Sequence, residues 1–137
     1  MTEKKYPTRS QFLLCEDVRL ELSQKVTLIG VFGGDDLQLK QKVPRDKKAA
    51  LDRLVVYSRF FGGDGEFFAR AELHTPDGQV LKQDLDASAK TNKGSVHAIV
   101  IQFSPFGIHG FGNYKLAVYL DDQSYEYVFE LKGEYES

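Results

Sequence analysis

Alternation of apolar and polar residues over 11–32 constrains this chain most. Phe12, Leu14, Val18, Leu20 and Leu22 share one parity of QFLLCEDVRLEL. Val26, Leu28 and Phe32 share one parity of KVTLIGVF, with Gly30 between them. A period of two sends successive side chains to opposite sheet faces, so the pattern demands paired strands with one face buried. Ser23-Gln24 separates the two runs and predicts a hairpin turn. Alternation of this kind defines an architecture and carries no chemistry.

The same signal recurs along the chain. LVVYSRFF (54–61), GEFFARAEL (65–73), QVLKQDL (79–85), SVHAIVIQF (95–103), YKLAVYL (114–120) and YEYVFEL (125–131) all read as strands. A short strand is also expected at 37–39. Turn signals separate these runs: Gly62-Gly63-Asp64-Gly65, Pro76-Asp77-Gly78 and Asp121 to Ser124. ASAKTNKG, 87–94, reads as a polar loop. QVLKQDL is amphipathic and short, which suits a sheet edge. SVHAIVIQF is apolar on both parities, which suits a strand buried on both sides or one central to its sheet. About eight or nine short strands without a long helix predict an all-β, two-sheet antiparallel β-sandwich. The exception is KQKVPRDKKAALDR, 40–53. Its Pro44 and its helix formers predict a connecting loop with one short helical turn. Residues 1–10 read as a flexible lead-in, and 11–137 as a single domain.

A chain of 137 residues can bury a sizeable core without disulfides or metal. The formal net charge of −2 gives no reason to expect nucleic acid or an anionic membrane as partner. Cys15 is the sole cysteine, so no internal disulfide forms, and the count favours a reducing compartment. The thiol itself reads as a small buried hydrophobe. The opening residues are polar, and Glu16 and Asp17 interrupt the FLL run that follows. No leader or spanning segment is expected, and the expected location is the cytoplasm.

Two resemblances add to this reading. Gly112-Asn113-Tyr114-Lys115-Leu116-Ala117-Val118 resembles the start of the sixth strand of immunoglobulin-like sandwiches. There a tyrosine hydroxyl bonds back to the backbone as a tyrosine corner. In this chain Leu116 stands where that family often has Cys, Gly110 where it often has Asp, and Trp is absent. Leu14-Cys15-Glu16-Asp17-Val18-Arg19-x-Glu21, followed by Lys25-x-Thr27-Leu28-Ile29-Gly30-Val31-Phe32, is similar to the opening hairpin of a family of small uncharacterised bacterial proteins. That resemblance implies a β-sandwich of bacterial or phage origin and no activity.

Several constellations could carry chemistry. Asp17, Arg19 and Glu21 share the polar face of the first strand, whereas Glu16 falls on the apolar face and needs a partner, a bulge or water. These residues read as ion pairs that lock the strand, with Lys25 as a candidate partner. His74, His97 and His109 lack metal-ligand spacing, so no metal and no cofactor are expected. The glycines of 30–36 and 61–66 precede strands, not helices, and so read as turn glycines and not as phosphate loops. Asp35-Asp36, Asp64-x-Glu66 and Asp121-Asp122 lack the spacing of a Ca²⁺ loop. Lys40, Lys42, Arg45, Lys47, Lys48 and Arg53 face only Asp46 and Asp52, a local balance of +4. They are the candidate contact for an anion or an acidic partner. Gly112 and Tyr114 are structural candidates. No catalytic residue is assigned. The leading expectation is a non-catalytic sandwich acting through protein–protein or self-association. One alternative is a small-ligand or carbohydrate-binding sandwich that stacks its ligand on Tyr57, Tyr119, Tyr125 and Tyr127. The other is an enzyme using His97 or His109 with a carboxylate.

Overall fold

The structure, a computed structural model, describes residues 4–22, 25–45, 49–84, 89–91 and 96–136. The strands, in chain order, are β1 Arg9–Leu20, β2 Val26–Val31, β3 Asp36–Gln38, β4 Ala50–Leu51, β5 Leu54–Phe61, β6 Gly65–Phe67 and β7 Ala69–His74. They continue with β8 Val80–Asp84, β9 Ala89–Thr91, β10 Val96–Phe103, β11 Phe106–Gly107, β12 Gly112–Leu120 and β13 Gln123–Lys132. One sheet runs β10-β5-β1-β2 and the other β3-β13-β12-β7-β8, with two small ribbons, β11-β4 and β6-β9. The pairings are antiparallel except β3 on β13.

The order is immunoglobulin-like. β1, β5 and β10 lie side by side as the A, B and E strands of such a sandwich do. β7, β12 and β13 follow the C, F and G strands of the facing sheet. Alternation places Leu14, Val56, Phe60 and Ile101 of the first sheet inward, against Leu73, Leu116, Val118 and Phe129 of the second. Aromatic pairs bridge the sheets: Phe12 stacks on Tyr127 at 5.3 Å, and Phe60 meets the Tyr125 ring at 5.1 Å. Ser58 is the polar exception in this layer. Its hydroxyl donates to the Ile99 carbonyl at 2.7 Å, which satisfies it.

Tyr114 forms a tyrosine corner. Its hydroxyl accepts from the His109 N–H at 2.9 Å and donates to the Gly110 carbonyl at 2.7 Å. The ring is fully buried and stacks on Phe129 at 5.5 Å. Burial pushes the phenol up to about 12. Gly112, just before it, has φ +129°, a conformation that side chains with a Cβ rarely adopt.

Three expectations change. Residues 4–10 are not a loose lead-in. Lys5 and Asp64 exchange backbone bonds, the Thr8 N–H bonds to the Phe61 carbonyl, and Tyr6 packs on Phe67 at 4.9 Å. No helix occurs among the described residues of 44–53; instead Ala50–Leu51 pairs with Phe106–Gly107. Residues 46–48 lie outside the described set. Two apolar residues at Ala50 and Leu51 find a strand partner, and tertiary pairing overrides helix propensity. Residues 89–91, expected within a loop, form β9 against β6.

The opening hairpin is only partly inside the sandwich. β1 pairs with β5 over 9–15 and with β2 over 15–20, so its second half continues as a two-stranded ribbon. Val18 faces Leu28, but both are only half-buried, and Leu22 is exposed. Ser23 and Gln24, the expected turn, lie outside the described residues. Glu16 marks the exit. Its carboxylate lies over Gly30, where φ is +65° and a Cβ would approach Glu16 Oε2 to 2.7 Å. A carboxylate on the apolar parity is tolerated because that parity has already left the core.

The tyrosine corner should be measurable. Tyr114→Phe removes the hydroxyl partner of a half-buried carbonyl and N–H and should cost about 0.5–1.5 kcal/mol in urea denaturation. The raised phenol adds a pH signature. An unfolded tyrosine ionises near about 10, so the unfolded chain loses its proton first. This contribution is complete below about 10 and lost as pH rises to about 12. The alkaline fall in midpoint should be shallower in Tyr114→Phe.

Candidate functional site: the β10 edge and the outer face beside it

β10 lies at the edge of its sheet, not at the centre. Its inward residues His97, Ile99 and Ile101 pair with Phe60, Ser58 and Val56. Its outward residues Val96, Ala98, Val100 and Gln102 are exposed, with Val96 at 51% and Val100 at 37%. The double-parity apolar pattern therefore marks one buried face and one apolar face open to solvent. Sequence reading missed this because period-two patterns report residue type on each face, not what covers it.

The register extends this face across the sheet. Val100 lies beside Tyr57 and Leu13, Ala98 beside Arg59 and Gln11, and Val96 beside Phe61 and Arg9. The outer face of the other sheet is built differently. There Arg70 pairs with Glu72 at 3.2 Å and stacks on Tyr119 at 4.0 Å, and His74 lies 3.5 Å from Glu72. The outer face of the second sheet thus carries ion pairs beside the exposed Val80 and Val128, and that of the first carries the exposed Val96 and Val100 beside two arginines.

Edge chemistry differs in the same way. β8, the edge of the second sheet, carries Lys82 and Asp84. β10 carries no Asp, Glu, Lys, Arg, Pro or Gly. β2 is also uncharged, but Gly30 interrupts it with a left-handed φ. Charges, prolines and bulges are the usual means of keeping an edge from pairing with another chain, and β10 has none of them.

The structure separates the basic residues of 40–53. Lys40 and Lys42 are exposed and line one groove of about 560 Å³ with Lys132 and Glu134. Lys40 also borders an apolar groove of about 510 Å³ walled by Phe32, Leu37, Leu39, Leu51 and Leu54. Arg45 stacks on Tyr135 at 5.2 Å and donates to the Glu136 carbonyl at 3.1 Å. Arg53 pairs with Asp17 at 3.0 Å. Lys47 and Lys48 lie outside the described residues. The opening-strand ion pair is therefore Asp17 with Arg53, and not with Lys25. Strand pairing places Arg19 opposite Thr27, and Glu21 accepts from the Thr27 hydroxyl at 3.0 Å.

The remaining candidates do not converge. His97 sits near the start of β10, whereas His109 follows β11, past the other end of that strand. His109 lies 3.7 Å from Asp77, but Asp77 already accepts from Thr75 and Gln79. Asp121 accepts from the Phe68 N–H at 2.9 Å, which, with Lys4, holds its carboxyl below the usual range. Asp35 accepts from the Tyr127 hydroxyl and Asp36 pairs with Lys132. Among the described residues, no group of three or more His, Cys, Asp or Glu could hold a metal ion. Cys15 is buried between Val31 and Val55, and burial, helped by Asp17, pushes its thiol up. The four tyrosines form no common surface. Tyr57 and Tyr119 face outward from different sheets, while Tyr125 and Tyr127 pack inward. Among the described residues no helix is long and apolar enough to cross a membrane.

No family model, curated protein or solved structure matches the chain.

The basic segment should respond unevenly to mutation. Lys40→Glu and Lys42→Glu, at exposed sites, should each move stability by no more than about 0.5 kcal/mol in urea denaturation. Arg53 and Asp17 are partly exposed, so a double-mutant cycle should give a coupling of up to about 1 kcal/mol.

Proposed function

We propose that this protein is a non-catalytic β-sandwich module that self-associates through the edge of β10. One observation carries the reading: an eight-residue edge strand without a charge or a proline, bordered by an exposed apolar face. The occupant is a second copy of the chain. Two β10 strands paired antiparallel about a two-fold axis would continue the sheet, and each strand would meet an identical partner. The absence of formal charge on β10 means that this self-pairing brings no like charges together. The small net charge of −2 does little to keep copies apart. Val96 and Val100 would then face their counterparts on the outer side of the joined sheets and lose part of their exposed surface. The dispersal of the histidines and the prior engagement of Asp77 and Asp121 favour a binding role over a catalytic one. The separation of the tyrosines to different faces argues against a carbohydrate platform.

Sedimentation equilibrium tests this reading. The wild-type chain should give twice its 15.5 kDa mass. Val100→Lys places a charge on the edge and should give the monomer with an unchanged fold by circular dichroism. Val80→Lys, on the charged edge β8, should leave the dimer intact. A wild-type protein that stays monomeric at high micromolar concentration would sink the proposal.

A further inference from the structure

Arg9, Arg59 and Phe61 come from two neighbouring strands and meet on the outer face of the first sheet. Arg9 lies directly across from Phe61, and Arg59 is two residues before it on the same face. The Arg9 guanidinium carbon is 4.5 Å from the Phe61 ring centroid and that of Arg59 is 5.4 Å away. Both are cation–π distances, so one half-buried ring holds two cations in place. The three residues, with Ser10 and Gln11, line a shallow groove of about 440 Å³.

What neutralises these cations is unusual. Arg53 and Arg70 each have a carboxylate partner, Asp17 and Glu72. Among the described residues, neither Arg9 nor Arg59 forms an ion pair. Arg59 instead points its Nε and Nη2 edge at the Gln11 amide oxygen, with Nε at 3.0 Å. Gln11 occupies the place of a carboxylate but brings no charge. It orients the guanidinium without discharging it. Two like charges held on one ring repel each other, and an oxyanion accepted by both would relieve that repulsion. Arginine presents paired N–H groups that match a planar or tetrahedral oxyanion, and among the described residues no side chain engages the remaining Arg59 edge or the Arg9 fork through an ion pair.

We propose that Arg9 and Arg59 form an oxyanion-binding site, oriented by Gln11 and seated on Phe61, for a carboxylate- or phosphate-bearing small molecule. Val96 and Ala98 flank the site on β10, so the apolar body of such a ligand would have a surface to lie on. The oxyanion contacts themselves come from side chains of β1 and β5, so they do not require pairing of the β10 edge.

Titration of the ¹⁵N-labelled full chain, read at the arginine Nε–H and backbone signals, tests it. The probes are inorganic phosphate and benzoate. Saturable shifts confined to Arg9, Gln11, Arg59 and Phe61 with either probe support the site, and the tighter probe names the ligand class. Gln11→Glu keeps the side-chain shape and supplies an internal carboxylate to Arg59, so it should weaken binding at least about tenfold. Arg59→Gln should do the same and stands in should Gln11→Glu fail to fold. Val100→Lys should retain binding whatever its oligomeric state. Shifts that rise linearly with both probes, or saturation unchanged in both Gln11→Glu and Arg59→Gln, overturn the proposal.

Discussion

The Tyr114 hydroxyl holds the point where the chain crosses from one sheet to the other. Between β10 and β12 the backbone must leave the edge of the first sheet and enter the centre of the second. A loop at such a crossing leaves N–H and carbonyl groups partly shielded from water, where an unmet bond is costly. Tyr114 meets one of each, at His109 and Gly110, with a single oxygen. Its ring also belongs to the aromatic layer of Phe106 and Phe129, so the polar anchor and the core packing are one side chain. The placement of β10 relative to the rest of the sandwich depends on this crossing.

The two sheets differ at their edges and in how their outer arginines are partnered. The second sheet ends on β8 with charged residues, and its outer face is knitted by Arg70, Glu72 and Tyr119. The first ends on β10 with none, and its outer face carries Val96, Val100, Tyr57 and Leu13. Exposed apolar surface beside an unguarded edge is a liability for a monomer and a resource for an interface. The Arg9–Phe61–Arg59 cluster sits on this same face, where among the described residues no carboxylate pairs with either guanidinium. An apolar surface with fixed cations combines area for binding with a means of selecting charge.

Much of this was legible in the residues. Alternation at Phe12 and Leu14, at Leu116 and Val118 and at Tyr127 and Phe129 named the inward faces, because a strand cannot bury one residue without turning the next outward. Gly112-x-Tyr114 pointed to the corner through its resemblance to immunoglobulin-like sandwiches. The short run Ala50–Leu51 was misread, since helix propensity is weak over a few residues and a partner strand at Phe106–Gly107 outweighs it. Glu16 looked misplaced only because the strand was assumed to stay in the core for its full length.

The sequence by itself determined the fold class and the inward faces of most strands, since both rest on periodicity, and its resemblance to immunoglobulin-like sandwiches pointed to the tyrosine corner. Only the tertiary structure decided which strand stands at an edge. Strand order depends on pairings between residues far apart in the chain, and a period-two pattern is the same at an edge and at the centre. SVHAIVIQF reads as doubly buried until its place at the end of the β10-β5-β1-β2 sheet is known. The joining of Arg9 to Arg59 across Phe61 is likewise a product of register, which brings together side chains that nothing in the linear order connects.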